Sequence, residues 1–126
     1  MAILNKDQNL RAIASSVMHD NICFERDMRP AFLMGGKEVY IANVYFNYDS
    51  GDICYGLVDK NDISLTSSRG ERRVAELPGK VLSDLADKCD KYIKTMLNTL
   101  ANDYRLSSRV REAAKNRKMR YSPRMN

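Results

Sequence analysis

The chain has no tryptophan, one histidine (His19), three prolines and three cysteines among its 126 residues. Each shortage excludes something. A single imidazole removes most acid–base and nucleophilic constellations that rely on histidine, and His19, next to Asp20, reads as a solvated residue at a helix end. Cys23, Cys54 and Cys89 are scattered and odd in number, with no Cys-x-x-Cys. That pattern argues against a disulfide framework and for reduced thiols used as small core residues, hence a cytoplasmic setting. No apolar run approaches the ~18 residues of a membrane span. The opening Met-Ala-Ile-Leu-Asn-Lys-Asp lacks the basic and apolar regions of a secretory signal. The expected protein is therefore neither secreted nor embedded in a membrane.

The familiar chemical motifs are missing as well. Gly35-Gly36-Lys37 is followed by Glu38 and a strand pattern, whereas a P-loop needs Ser or Thr after the lysine and a helix after that; it reads as a hairpin turn. Asp49, Asp52, Asp59 and Asp62 occur in neighbouring turns, but not at calcium-loop spacing, so they are read as shaping those turns. Carboxylates elsewhere are interleaved with Lys and Arg, and nothing marks a glycosidase-type pair. The aromatic signature of ribonucleoprotein sheets is absent. The sequence thus assigns no catalytic residue, metal ligand, cofactor or small-molecule substrate.

What the chain does have is charge concentrated at one end. Residues 105–126 hold eight basic side chains (Arg105, Arg109, Arg111, Lys115, Arg117, Lys118, Arg120, Arg124) against Glu112, a net of eight minus one, or +7. The first 104 residues hold 13 Lys and Arg against 15 Asp and Glu, a net of −2. Blocks of like charge repel themselves and usually meet something of opposite sign. Ser107 or Ser108 can cap a helix that extends to Ser122-Pro123, with Val110, Ala113, Ala114 and Met119 its only apolar residues. Such arginine-rich segments often fold on contact with nucleic acid. A second, smaller basic group, Arg69, Arg72 and Arg73, lies in the loop Ser67–Arg73, where hydroxyls and guanidiniums can hold phosphate oxygens. The plainer reading is a solvated loop partly neutralised by Glu71.

The body reads as α+β. Asn5 and Gln8 have the spacing of a capping box, and Leu10, Ile13, Ala14, Val17 and Met18 make one apolar helical stripe. Ile22 to Met28 alternates like a short strand ending before Pro30. Lys37–Tyr48 is the strongest strand, followed by Ile53–Val58 and Ile63–Thr66 across polar turns, a short antiparallel meander of three to four strands. Pro78-Gly79 opens a long amphipathic helix running to about Tyr104, with an apolar stripe from Val81 to Leu100 and Tyr104.

On the long strand, strict alternation places Tyr40, Ala42, Val44, Phe46 and Tyr48 toward the core and Val39, Ile41, Asn43, Tyr45 and Asn47 away from it. Tyr45, together with Tyr55 on the next strand, is then a candidate interface aromatic, or else part of an ordinary cross-strand pair.

The expected organisation is a compact α+β domain, residues 1–104, followed by a basic tail, residues 105–126. The expected function is a small non-enzymatic structural, assembly or adaptor protein. It docks on a protein partner or on copies of itself, and its tail contacts nucleic acid or an acidic partner, as in a virion or ribonucleoprotein. The alternative is a free nucleic-acid-binding regulator using the tail with Arg69, Arg72 and Arg73. If all seven net charges met phosphates, log K would fall with log salt at a slope of about −6.

Overall fold

Lys37–Asn47, rich in β-branched and aromatic residues, forms the axis of the molecule. The computed structural model describes residues 6–17 and 21–120. The expected helix cap Asn5, the residues Met18, His19 and Asp20, and the tail residues Ser122, Pro123 and Arg124 lie outside the described residues. Helix α1 (Lys6–Val17) precedes strands β1 (Ile22–Cys23), β2 (Ala31–Met34), β3 (Lys37–Asn47), β4 (Asp52–Val58), β5 (Ser64–Leu65) and β6 (Arg72–Arg73). Helices α2 (Gly79–Asn102) and α3 (Ser108–Arg120) follow. The class is α+β, with an entirely antiparallel sheet.

The sheet is built outward from the β3–β4 hairpin. Asn47 shapes the hairpin turn: its Oδ1 accepts from the Asp49 N–H at 2.9 Å, and its carbonyl accepts from the Gly51 N–H at 2.8 Å. Gly51 sits at φ +74°, where a Cβ would be strained. β1 and β2 lie one after the other along the free side of β3, and β5 and β6 do the same along β4. Between β1 and β2 the chain leaves the sheet in a 3-10 turn, Arg26–Met28. The single strand expected over Ile22–Met28 is therefore two residues long, and the edge resumes only after Pro30. β2 and β6 were not foreseen as strands. β2 joins β3 through Gly35 and Gly36, whose φ values of +60° and +79° suit the type I′ turn that matches strand twist.

A β-bulge in β3 corrects the expected facing of its side chains. Ile41 pairs with Leu57 and Asn43 with Gly56, so two steps on β3 oppose one on β4 and Ala42 is the extra residue. Before the bulge the core takes Val39 and Ile41; after it, Val44 and, half-buried, Phe46. Tyr40 and Ala42 thus do not share the core face with Val44, as alternation across all of β3 had required. The Asn43 side chain covers the bare Cα of Gly56, where any Cβ would meet Asn43 Oδ1 at 2.0 Å.

Both α1 and α2 cover the face carrying Ile22, Val39, Ile41, Val44 and Leu57, and the core forms between them. On α2 the buried line is Leu82, Leu85, Ala86, Cys89, Ile93, Leu97 and Ala101, close to the expected stripe. On α1 the buried line is Asn9, Ala12, Ile13, Ser16 and Val17 rather than one centred on Leu10 and Ala14, which are only half-buried. The helix is turned so that Ala12 and Ser16 go inside. The Ser16 hydroxyl is satisfied by donating to the Ala12 carbonyl at 3.0 Å. Small buried side chains let α1 lie close on α2, its main neighbour.

Candidate functional site

The basic segment is a docked helix through Arg120, not a free tail. α2 ends at Asn102, and a five-residue turn reverses the chain. Asp103 holds this turn: its carboxylate accepts from the Arg105 backbone N–H at 3.0 Å and from the guanidinium Nε and NH2 at 3.0 and 2.9 Å. That hydrogen bonding keeps the Asp103 carboxyl below its ordinary range. Ser107 then caps α3, its Oγ accepting from the Val110 N–H at 3.3 Å. α3 runs back along α2, with Ala114 buried at their contact and Lys118 Nζ donating to Asn98 Oδ1 at 2.6 Å. Arg111 lies over the Tyr104 ring, 5.6 Å from its centre, in cation–π range.

This geometry sorts the eight basic residues expected to bind. Arg105 is committed to the turn. Arg111 and Lys118 lie on the α2 side of the helix. Arg109, Lys115 and Arg117 are exposed. Arg120 ends α3, and Arg124 lies outside the described residues. Arg109 and Lys115 meet no carboxylate among the described residues. Arg109, Ala113, Asn116 and the Arg120 position recur at helical spacing and form one ridge on the side away from α2. The ridge has one acid beside it, Glu112.

The Arg69–Arg73 loop does not extend this surface. Arg69 is exposed in a turn closed by Ser67. Arg72 and Arg73 point to opposite faces because they are neighbours in β6: Arg72 pairs with Tyr55 and Arg73 with Cys54. Arg73 also lies 3.7 Å from Asp52 and 3.4 Å from Glu76. The loop precedes the start of α2, whereas α3 packs at its end. From Gly79 to Asn98, the helix alone spans about 28 Å. The three arginines neither converge on one another nor join the α3 patch.

Tyr45 and Tyr55 also part company. Tyr55 sits opposite Val44 and packs against the core, while Tyr45 sits opposite Cys54 on the other face. There Tyr45 belongs to a cluster with no sequence signal. The Glu71 carboxylate, brought over the sheet by its loop, accepts a hydrogen bond from Asn47 Nδ2 and lies beside the Tyr45 hydroxyl and the Cys54 thiol, which donates to the Asp52 carbonyl at 3.9 Å. Burial, with Glu71 behind it, pushes the Tyr45 phenol up to about 12 and raises the Cys54 thiol. Burial, with the Asp90 carboxylate beside it, does the same for Cys89, to about 12. Both thiols are therefore held neutral near pH 7, and a neutral thiol is a poor nucleophile. Because the folded-state pKa of Tyr45 lies above the ordinary 10.0, its stabilising contribution is complete below pH 10. It is lost as pH rises through about 12. Phenolate absorbance, titrated in the native protein and in Tyr45→Phe, should differ by one group titrating near that value.

The aspartates of the turns serve the turns. Asp59 Oδ1 accepts from the Asn61 and Ile63 N–H groups at 2.8 and 3.0 Å. Asp62, at φ +64°, is held by Arg29, whose hydrogen bond keeps its carboxyl below the ordinary range. Among the described residues no three His, Cys, Asp or Glu side chains gather as a metal site, and no helix is long and apolar enough to cross a membrane. Comparison of the chain with family models, curated proteins and solved structures finds no match. The site therefore rests on this chain's own residues.

Proposed function

We propose that the protein is a non-enzymatic adaptor or assembly component, acting in the cytoplasm or within a virion-like or ribonucleoprotein particle. In this reading α3 lies along a nucleic-acid backbone. The observation that carries it is the exposure of Arg109, Lys115 and Arg117 on a helix already docked to the body. A preformed helix does not bear the ordering cost that a disordered tail meets on binding. Charges set round a helix suit phosphates, which demand proximity rather than a specific donor pattern. Nucleic acid is favoured over an acidic protein surface because the exposed cations of α3, Arg109, Lys115, Arg117 and Lys118, outnumber its two exposed large apolar side chains, Val110 and Met119, whereas the core of a protein interface is mostly apolar. The body supplies the other half of the adaptor, through a sheet face on which Tyr40, Asn43, Tyr45 and Asn47 remain half-exposed.

The protein should leave a low-salt lysate with bound nucleic acid, seen as excess absorbance at 260 nm that nuclease treatment removes. A chain that purifies free of nucleic acid and retards neither DNA nor RNA at about 50 mM salt, where such contacts are strong, would contradict the proposal.

A further inference from the structure

The sheet has one edge with nothing in its sequence to guard it. Natural edge strands are usually protected by charge, proline, a bulge or extreme shortness. β1, β5 and β6 are two residues long, but β2 is Ala31-Phe32-Leu33-Met34, four apolar residues with no charge among them. Leu33 is 72% exposed and Met34 38%. β2 pairs with β3 on one side, and no other strand among the described residues pairs with it.

The free backbone groups of this edge can be identified. The Ile41 N–H donates to the Pro30 carbonyl at 2.9 Å, so residue 30 turns its peptide groups toward β3. In an antiparallel ladder the residues in step with it, Phe32 and Met34, do the same, and the intervening Ala31 and Leu33 turn theirs outward.

We infer that the occupant of this edge is β2 of a second copy, paired antiparallel about a two-fold axis through Leu33. A two-fold axis normal to the sheet keeps core face with core face, so only residues of the same parity can oppose one another. Centred on Leu33, the register sets Leu33 against Leu33 of the other copy, Phe32 against Met34, and Ala31 against Gly35. Every facing position is apolar or glycine, and the outward N–H and C=O of Leu33 meet their own counterparts. The chain turns back at Gly35 and Gly36 into β3, so no charged residue of the edge strand faces the other copy. A four-residue edge buries far less than the ~1,200 Å² of a standard interface. The contact is thus weak for two free copies and becomes effective where copies are held close, as in an assembly.

The test needs no nucleic acid, so its failure is separate from any failure of the α3 proposal. Directly opposed residues in a hydrogen-bonded antiparallel pair have Cα atoms about 5.5 Å apart, within disulfide range. In a Cys23→Ser background, which removes the exposed native thiol, Leu33→Cys should form a covalent dimer under mild oxidation at least about tenfold faster than Ala31→Cys. Ala31 lies on the same exposed edge but faces Gly35 in this register, so it controls for random collision. Sedimentation at high concentration should show the native chain shifting toward twice its monomer mass and Leu33→Lys remaining monomeric. Equal cross-linking of the two cysteine variants, or a native chain that stays monomeric, would overturn the inference.

Discussion

Replacing Arg109, Lys115 and Arg117 together by alanine should weaken binding to duplex DNA or RNA by about 500-fold at about 0.1 M salt. Each phosphate neutralised releases close to one counterion, which contributes about 0.9 of a decade in affinity at that salt concentration. Three contacts make about 2.7 decades. The expectation depends on the three residues being exposed on a helix that survives their loss. Alanine is the best helix former, and the docking contacts of α3, Ala114 with the Lys118–Asn98 bond, are left intact. Far-ultraviolet circular dichroism should therefore be unchanged while binding falls. A variant that binds within a few-fold of the native chain would remove α3 from the interface. Arg105→Ala should have a different effect, because Arg105 is bonded to Asp103 in the turn. It should loosen the turn and cost less binding than loss of Arg109, Lys115 or Arg117.

Deleting Ala42 and Asn43 together should abolish cooperative folding, whereas deleting Ala42 alone should not. With only the bulge residue gone, Ile41, Asn43 and Val44 follow one another as inward, outward, inward, and the pairs Ile41–Leu57, Asn43–Gly56 and Val44–Tyr55 run on without an extra residue. Deleting both residues sets Val44 directly after Ile41, and successive strand residues point to opposite faces. Val44, fully buried, and Phe46, packed against the core, would turn outward while Tyr45 and Asn47 turned in. Exposing two such apolar side chains costs about 3–6 kcal/mol. Burying the polar groups of Tyr45 and Asn47 without partners adds about 1–3 kcal/mol each. Together these consume most or all of the ~5–15 kcal/mol that holds a domain of this kind. The single deletion should melt cooperatively, which separates facing from chain length. A double-deletion variant that melts as sharply as the native chain would mean that β3 tolerates either facing.

The legible parts of the fold are those with a long, uninterrupted period. α2 was read within two residues of its end, because over 24 residues its apolar stripe repeats several times. The β3–β4 hairpin was evident from two strong strands around Asp49-Ser50-Gly51-Asp52. The bulge left no trace because Ala42 is sterically acceptable on either face and alternation is apolar on both sides of it. α1 was misjudged by about one residue's rotation. Its burial is decided by how closely it approaches α2, which favours the small Ala12 and Ser16 over the more apolar Leu10. In the basic segment, composition revealed the charge and Ser107 the cap, but not the docking on α2. One buried alanine, Ala114, does not make a periodic signal. The Glu71 cluster was invisible for a different reason. Tyr45, Asn47, Cys54 and Glu71 are brought together by strand pairing and a loop that folds back, and no spacing in sequence records that.

The central claim is that α3 meets a polyanion through charge, and salt dependence tests it most directly. Of the eight basic residues, Arg105, Arg111 and Lys118 are engaged within the protein. With the exposed Arg109, Lys115 and Arg117 and the further sequence cations Arg120 and Arg124 counted as phosphate contacts, the slope of log K against log salt on a duplex should be about −4.5. This is shallower than the −6 or so expected from the net charge of the segment. A slope near −4.5 that falls to about −2 in the triple alanine variant is the expected result. A slope near zero, or one that the three substitutions leave unchanged, would contradict the account.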